Sequence, residues 1–188
     1  MHSEILNKDQ LQILPLIKQF NREYYLAGGT AVALHLGHRR SIDFDLFKYS
    51  AIKPKSILNK ITHLGYSYTV TRNVAEQLNI TINNVRITFF QYPFKVNITK
   101  KYSDIIKMPT IIDLASMKAY ALRRRSKWKD YVDLYFLLKQ FSIQDISLKS
   151  TEIFGELFSE KLFRAQLSYF DDIDYTEQID YLKEVISP

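Results

Sequence analysis

The stretch most able to do chemistry covers residues 26–47, LAGGTAVALHLGHRRSIDFDLF. A glycine pair, Gly28 and Gly29, opens a short helical segment, and Asp43 and Asp45 follow at i, i+2 spacing in an apolar strand pattern. Side chains alternate across a strand, so Ile42, Phe44 and Leu46 are expected on a core face and Ser41, Asp43 and Asp45 together on the other. Two neighbouring carboxylates both ionise at neutral pH when a positive charge sits between them, and a hard divalent cation with oxygen ligands supplies one. The glycines allow close backbone approach, and the free N–H groups of a helix starting near Thr30 would point at an anion. Together these features read as a phosphate and metal site. A bare Asp-x-Asp, without the glycines, reads as a strand end with solvated acids.

A second block covers residues 112–138, IDLASMKAYALRRRSKWKDYVDLYFLL. Lys118 lies in a helix whose apolar positions include Ile111, Leu114, Ala115, Ala121 and Leu122, which suggests a partly buried stem with its ammonium at a rim. Asp130 and Asp133 stand i, i+3 and share a helix face. Asp133 is flanked by Tyr131, Val132 and the run from Leu134 to Leu138, so it is expected in the interior, where a carboxylate needs a partner. Purely structural roles are open to all three. Asp133 could bridge to Arg123 or Arg124, Asp130 could be a helix N-terminal acid favoured by the macrodipole, and Lys118 could be a surface lysine.

The two blocks resemble the AbiEii/AbiGii-type toxins of the DNA polymerase beta-like nucleotidyltransferase superfamily, over roughly residues 20–175. In that family the glycine pair reads GGT and the strand resembles R-x-S-x-D-x-D-x-F. Here Arg39, Ser41, Asp43, Asp45 and Phe47 fill it, with Arg40 at the first variable position. The later helix with Lys118, the basic turn and the KDYVDLY sequence resemble the family's second motif. The resemblance implies a metal-dependent nucleotidyltransferase that moves NMP from an NTP to a tRNA 3′ end or a protein hydroxyl, as the toxin of a toxin–antitoxin system with a cognate antitoxin. It implies Mg²⁺ or Mn²⁺ on Asp43 and Asp45, and nucleotide contacts from Gly28, Gly29, Thr30, Arg39, Ser41 and Lys118. It makes Lys118 and Asp130 catalytic beside the acid pair, with Asp133 supporting them from behind. A Tyr-Phe-Asp-Asp stretch like residues 169–172 is also frequent near the C-terminus of such proteins.

One departure bears on mechanism. Many superfamily members carry a third acid on a later strand, and in the candidate strand over residues 85–92 Thr88 stands where it is expected; no acid occurs between Glu76 and Asp104. Asp130 is the substitute that the sequence offers. Loss of catalysis is the other explanation, which leaves a silent nucleotide- or RNA-binding module as the alternative. Such a module binds NTP without transfer, or binds RNA regardless of Asp43 and Asp45.

Composition narrows the class. With 46% hydrophobic and 14% aromatic residues in 188, the chain is expected to fold around a proper core. It has no cysteine, which excludes disulfides and thiolate metal sites. No signal-like or membrane-length apolar stretch occurs, so a cytoplasmic protein without membrane contact is expected. His35, His38 and His63 lack zinc-ligand spacing, and the cluster Asp171, Asp172 and Asp174 lacks the glycine and glutamate of a calcium loop, reading instead as a solvated turn. The net charge of +6 favours a polyanionic partner, above all where Arg123, Arg124, Arg125, Lys127 and Lys129 crowd one turn beside Trp128. Lys95, Lys100, Lys101 and Lys107 cluster in what reads as a loop before it.

These residues must be held by an α+β fold, a small mixed sheet with flanking helices over residues 1–108 and a helical portion over 109–188 that completes the site. Periodicity predicts helices over residues 8–20, with Pro15 kinking or splitting the first, then up to Leu36 and over 54–64. It predicts strands over 24–27, 67–72, 77–82 and 85–92, with Asn83-Asn84 as a tight hairpin turn. Further helices are expected over 110–125, 129–141, 150–158, 160–166 and 176–186.

Overall fold

The computed structural model describes residues 1–122 and 124–183. Helix α1 (Lys8–Lys18) starts on a capping box in which Asn7 and Gln10 satisfy each other's backbone N–H groups. Pro15 stays inside this helix without splitting it. Its ring displaces the carbonyl of Leu11, and both residues are exposed, so water can take that carbonyl. Strand β1 (Tyr25–Ala27) leads directly into α2 (Gly28–Leu36), which Gly37 ends in the left-handed conformation at φ 62°. Strand β2 (Phe44–Lys48) and α3 (Pro54–His63), with proline in its first turn, follow. Then come β3 (Thr69–Val74), β4 (Gln77–Ile82) and β5 (Val85–Gln91), the last two joined through Asn83 and Asn84 at φ 48° and 63°. Positive φ at both central residues is what a tight hairpin needs.

Two short strands complete the sheet, β6 (Lys100–Tyr102) and β7 (Ile106–Met108). They replace the loop expected around Lys100, Lys101 and Lys107. Three residues each, rich in lysine and held by pairing with each other and with Tyr25, they carry too little alternation to be read from sequence. The sheet order is β3-β4-β5-β2-β1-β7-β6, with β2–β5 and β1–β7 parallel and the other pairs antiparallel.

After Met108 the chain is helical: α4 (Ile111–Leu122), α5 (Trp128–Leu138), α6 (Ile143–Phe154) and α7 (Glu160–Leu167). Helix α6 begins well before the expected residue 150 because Ser142 and Asp145 form a capping box that fixes its start. The helix expected over residues 176–186 is absent as far as residue 183, and residues 184–186 lie outside the described ones. Instead this segment runs extended across the molecule. Trp128 N–H donates to the Asp174 carbonyl at 3.0 Å, Arg40 N–H to Asp180 at 2.8 Å, and Leu182 N–H to His38 at 2.9 Å. Backbone pairing with distant segments has overridden a helical period. Asp171, Asp172 and Asp174 are exposed, as a solvated turn requires, while Ile173 between them is buried.

Helices α4 and α5 both pack on α2, and one hydrophobic cluster runs from Ile5 to Ile173, so the sheet and the helical portion share a core. No helix among the described residues is long and apolar enough to cross a membrane.

The central strands carry two chemically opposite faces. Leu26, Leu46, Phe89 and Leu78 lie abreast on one. Ala27, Asp45, Thr88 and Asn79 lie abreast on the other, followed one pleat along by Tyr25, Phe47, Phe90 and Gln77.

Candidate active site

The glycine pair is there because side chains fill the space a Cβ would need. A Cβ on Gly28 would lie 2.0 Å from Asp45 Oδ2, and one on Gly29 would lie 2.7 Å from Arg39 Nη2 and 3.2 Å from Ser41 Oγ. Gly28 also sits at φ 67°, a conformation that other residues adopt at a cost. Asp45, Arg39 and Ser41 thus converge on the first turn of α2. Ile42, expected on the core face, is 59% exposed, because the ladder begins only at Phe44 and residues 41–43 are held by side chains instead. Gln10 Nε2 donates to the Ser41 carbonyl at 2.8 Å, and Thr30 Oγ1 donates to the Asp43 carbonyl and lies 3.0 Å from Ser41 Oγ, whose hydroxyl can donate to it. Thr30, expected to touch nucleotide, is buried with its hydroxyl engaged in this way. Its side chain fixes the approach to the acid pair.

A cavity of about 350 Å³ opens between this turn, the polar sheet face and the basic turn before α5. Asp43 and Asp45 line it together with Arg39, Arg86, Lys118, Arg125, Lys127 and Lys129, so cations outnumber acids on its walls. Gly28, Gly29, Ser41, Asn79 and Thr88 supply neutral polar and backbone lining. Such a surplus in a cleft attracts polyanions.

Burial, and then the neighbouring Asp43 carboxylate, push the Asp45 carboxyl above its usual range, while Arg125, Lys118 and a hydrogen bond from Thr88 work against them. Asp43 is ion-paired with Arg86 from β5. Among the described residues no third His, Cys, Asp or Glu joins a group able to hold a metal. The acid pair nonetheless fits a divalent cation: crowded carboxylates gain from a positive charge between them, and Mg²⁺ is commonly held by one or two carboxylates with phosphate and water oxygens completing its shell.

Behind the cavity lies a buried chain of ion pairs. The Asp133 carboxylate accepts from His38 Nε2 at 2.7 Å, from Arg39 Nε at 2.7 Å and Nη2 at 2.9 Å, and lies 2.6 Å from Lys118 Nζ. Lys118 Nζ also donates to Asp130 Oδ1 at 2.6 Å, and Arg125 Nε donates to Asp130 Oδ2 at 2.9 Å. Burial alone would raise the Asp133 carboxyl, but Arg39 and Lys118, with hydrogen bonds from His38 and Arg39, hold it well below the usual range. Burial likewise opposes, and Lys118 and Arg125 outweigh it, in lowering the Asp130 carboxyl. The Lys118 ammonium is raised by Asp130 and Asp133 against its burial. Burial pushes the His38 imidazole down despite Asp133, so it is neutral near pH 7.

These contacts change several sequence-based expectations. Lys118 is 4% exposed and its ammonium is held between two carboxylates, so it is not a surface charge, while its side chain still lines the cavity. Asp133 is paired, but with residues 94 and 95 positions earlier in the chain, Arg39 and His38. Arg124 instead lies over the Tyr120 ring at 3.7 Å, and Arg123 falls outside the described residues. Asp130 is wholly buried, absent from the cavity walls, and has both oxygens engaged by cations.

Arg86 and Asn79 escape a reading by motif, as does Thr88's direct pairing with Asp45, whereas Arg125, Lys127 and Lys129 belong to the basic run that the sequence already singles out. Arg86, Thr88 and Phe90 do share a period of two, a signal that acquires meaning once β5 is known to pair with β2. Lys127 and Lys129 are both ion-paired with Glu177 of the extended C-terminal segment. Burial would raise the Glu177 carboxyl, but hydrogen bonds from the two lysines bring it down to about 2.

A mixed sheet with two acids at the start of the strand that follows a glycine-initiated helix, facing a cation-rich cavity, defines a nucleotidyltransferase fold. Solved structures share it. The Megavirus polyadenylate synthase superposes with a TM-score of 0.51 at 18% identity, covering 69% of this chain and 31% of that one. MenT4, a nucleotidyltransferase toxin from Mycobacterium tuberculosis H37Rv, gives 0.52 at 14%, covering 76% and 62%. ANT(2")-Ia in complex with adenylyl-2"-tobramycin gives 0.55 at 10%, covering 83% and 95%. At these identities the likeness is one of fold, and the chain spans under two thirds of the first two. An uncharacterized protein of Aquifex aeolicus (strain VF5) is 29% identical over 144 residues, 72% of this chain and 68% of that one. The chain belongs to the family described as nucleotidyl transferase AbiEii toxin, type IV TA system, whose model matches residues 16–184. It is a nucleotidyltransferase.

Proposed function

We propose that the protein transfers NMP from an NTP to a hydroxyl on a tRNA 3′ end or a protein, with a divalent metal on Asp43 and Asp45, as the toxin partner of a cognate antitoxin. One observation carries the metal and nucleotide reading: the acid pair lies in a single cavity with the glycine-pair turn and a surplus of fixed cations. The acceptor classes and the antitoxin come from family membership.

In this reading residues 1–108 and 109–188 act as one unit. The Gly28 and Gly29 backbone and Ser41 hold phosphate oxygens, and Arg39, Lys118 and Arg125 offset the triphosphate charge. Bound between Asp43 and Asp45, Mg²⁺ or Mn²⁺ would neutralise phosphate oxygens and polarise the α-phosphate. The acceptor oxygen forms a bond to the α-phosphorus, the bond to the β-phosphate bridging oxygen breaks, pyrophosphate leaves, and the hydroxyl proton is lost to water. Stabilisation of the charge on the phosphate oxygens and the leaving pyrophosphate is a large part of what this transfer needs, which accommodates Thr88 in place of an acid. Asp130, with both oxygens held and its carboxyl shifted down, is better suited to positioning Lys118 and Arg125 than to accepting a proton.

The test is incubation of the purified protein with each labelled NTP, Mg²⁺ or Mn²⁺, and a total tRNA or lysate pool. Label should appear on a discrete acceptor and vanish with chelator. NTP binding without transfer would favour a silent module, the reading to which Thr88 gives its support.

A further inference from the structure

The polar sheet face changes character one pleat beyond the acid pair. Asp45 pairs with Thr88, and two residues along the same parallel strands Phe47 pairs with Phe90, on the same face. Same-face residues on a strand stand about 6.6–6.8 Å apart, the scale of the step from a phosphate to the far side of its own sugar. The Phe47 ring lies 5.1 Å from Phe90 and 5.2 Å from Tyr92, centroid to centroid. These three, with Phe94, Met117 and Tyr120, line a second cavity of about 390 Å³ that is mostly apolar. It adjoins the cation-rich cavity, and Gly28, Phe47, Phe90, Lys118 and Arg125 line both.

We propose that this aromatic cavity receives the base of the bound NTP. The inference rests on the nucleotidyltransferase reading above and assigns the nucleotide's orientation within it. A triphosphate seated against Gly28, Lys118 and Arg125 has the aromatic cavity as its immediate neighbour. A planar base is the part of the ligand that gains from stacking on rings and from leaving water. The acceptor has a separate approach. A groove lined by Ser41, Asp43, Arg86, Lys129 and the strap residues Glu177 and Asp180 opens from the Asp43 side, and it shares no residue with the aromatic cavity.

The test compares two ligands on the full chain, an NTP and inorganic tripolyphosphate, each with Mg²⁺, by calorimetric titration. Phe90→Ala removes a stacking face, and Ala121→Trp fills the cavity from α4, where Ala121 is only half-buried. Circular dichroism melts establish that each variant is folded, and either variant alone suffices. NTP affinity should fall about fivefold to hundredfold, the range for losing one stacked base, while tripolyphosphate affinity stays within about twofold. Unchanged NTP affinity, or equal losses for both ligands, overturns the proposal. If the unmodified protein binds neither ligand, the nucleotidyltransferase reading fails first, and the two failures are thereby told apart.

Discussion

The same four strands show what a sheet does with its two faces. On one, Leu26, Leu46, Leu78 and Phe89 are fully buried, and the Phe89 ring packs edge-on against Phe20 at 4.9 Å and Tyr24 at 5.3 Å. On the other, Asp45, Thr88 and Asn79 face a cavity, backed by ion pairs from α4 and α5. The first face holds the molecule together and leaves no room for a ligand. The second takes a carboxylate out of water beside another one, and burial first, then the Asp43 charge, push the Asp45 carboxyl upward at a cost in stability. Stability and chemistry are therefore assigned to alternate residues of one strand, and substitutions one position apart should have unlike consequences.

The largest effect should come from Phe89→Ala, which opens a cavity in the closed face and is expected to cost about 3–5 kcal/mol in denaturant unfolding. A cost under about 1 kcal/mol would mean that this face is not the stabilising one. Asp45→Asn, on the open face of the adjacent strand β2, should leave the melting temperature unchanged or raised, since it removes a crowded charge. Its effect belongs to transfer, which should fall about 10²- to 10³-fold, as when a group acting on transition-state charge is lost. If Asp45→Asn unfolds the protein while transfer per folded molecule survives, the two-face division is wrong.

Asp133→Asn probes the buried support beneath the reactive face. It leaves Arg39 and Lys118 short of a counter-charge and should cost about 3 kcal/mol, comparable to breaking a buried ion pair. Lys118→Met should be destabilising for the same reason, leaving Asp130 and Asp133 uncompensated. The Asp133 carboxyl is held well below its unfolded value near 3.9, so its contribution is present above that pH and is lost as pH falls toward the folded value. His38, depressed relative to about 6.5, acts in the same sense, favouring the folded state less as pH falls below that value. Melting temperature against pH should drop on the acid side for the native protein and more gently for Asp133→Asn. A parallel drop would assign acid sensitivity elsewhere.

The smallest effect should be that of Glu177→Gln, which releases Lys127 and Lys129 at the cavity wall. Partly exposed ion pairs contribute little to stability, so the melt should scarcely move, while tripolyphosphate affinity rises about two- to fivefold at low salt and loses that gain at high salt. An affinity that falls would make Glu177 a contributor to binding.

What could be read from the chain is what neighbouring residues settle among themselves. The Gly28-Gly29 pair and Asp-x-Asp mark the turn and the strand because local backbone freedom and period-two alternation are written into a few adjacent positions. Asn83-Asn84 marks its hairpin and Pro54 the start of α3 for the same reason. The tertiary structure alone decided matters in which the partner lies far along the chain. It brought His38 and Arg39 to Asp133, set Thr88 abreast of Asp45, and drew the 174–182 segment out of its helical period into pairing with residues 38–40 and 126–128. It also enclosed the Lys118 ammonium between Asp130 and Asp133, where the apolar positions of its own helix suggest only a partly buried stem. A buried charge is tolerated only where opposite charges meet it, and which ones do so depends on how α2, α4 and α5 pack, a property that no short stretch of sequence contains.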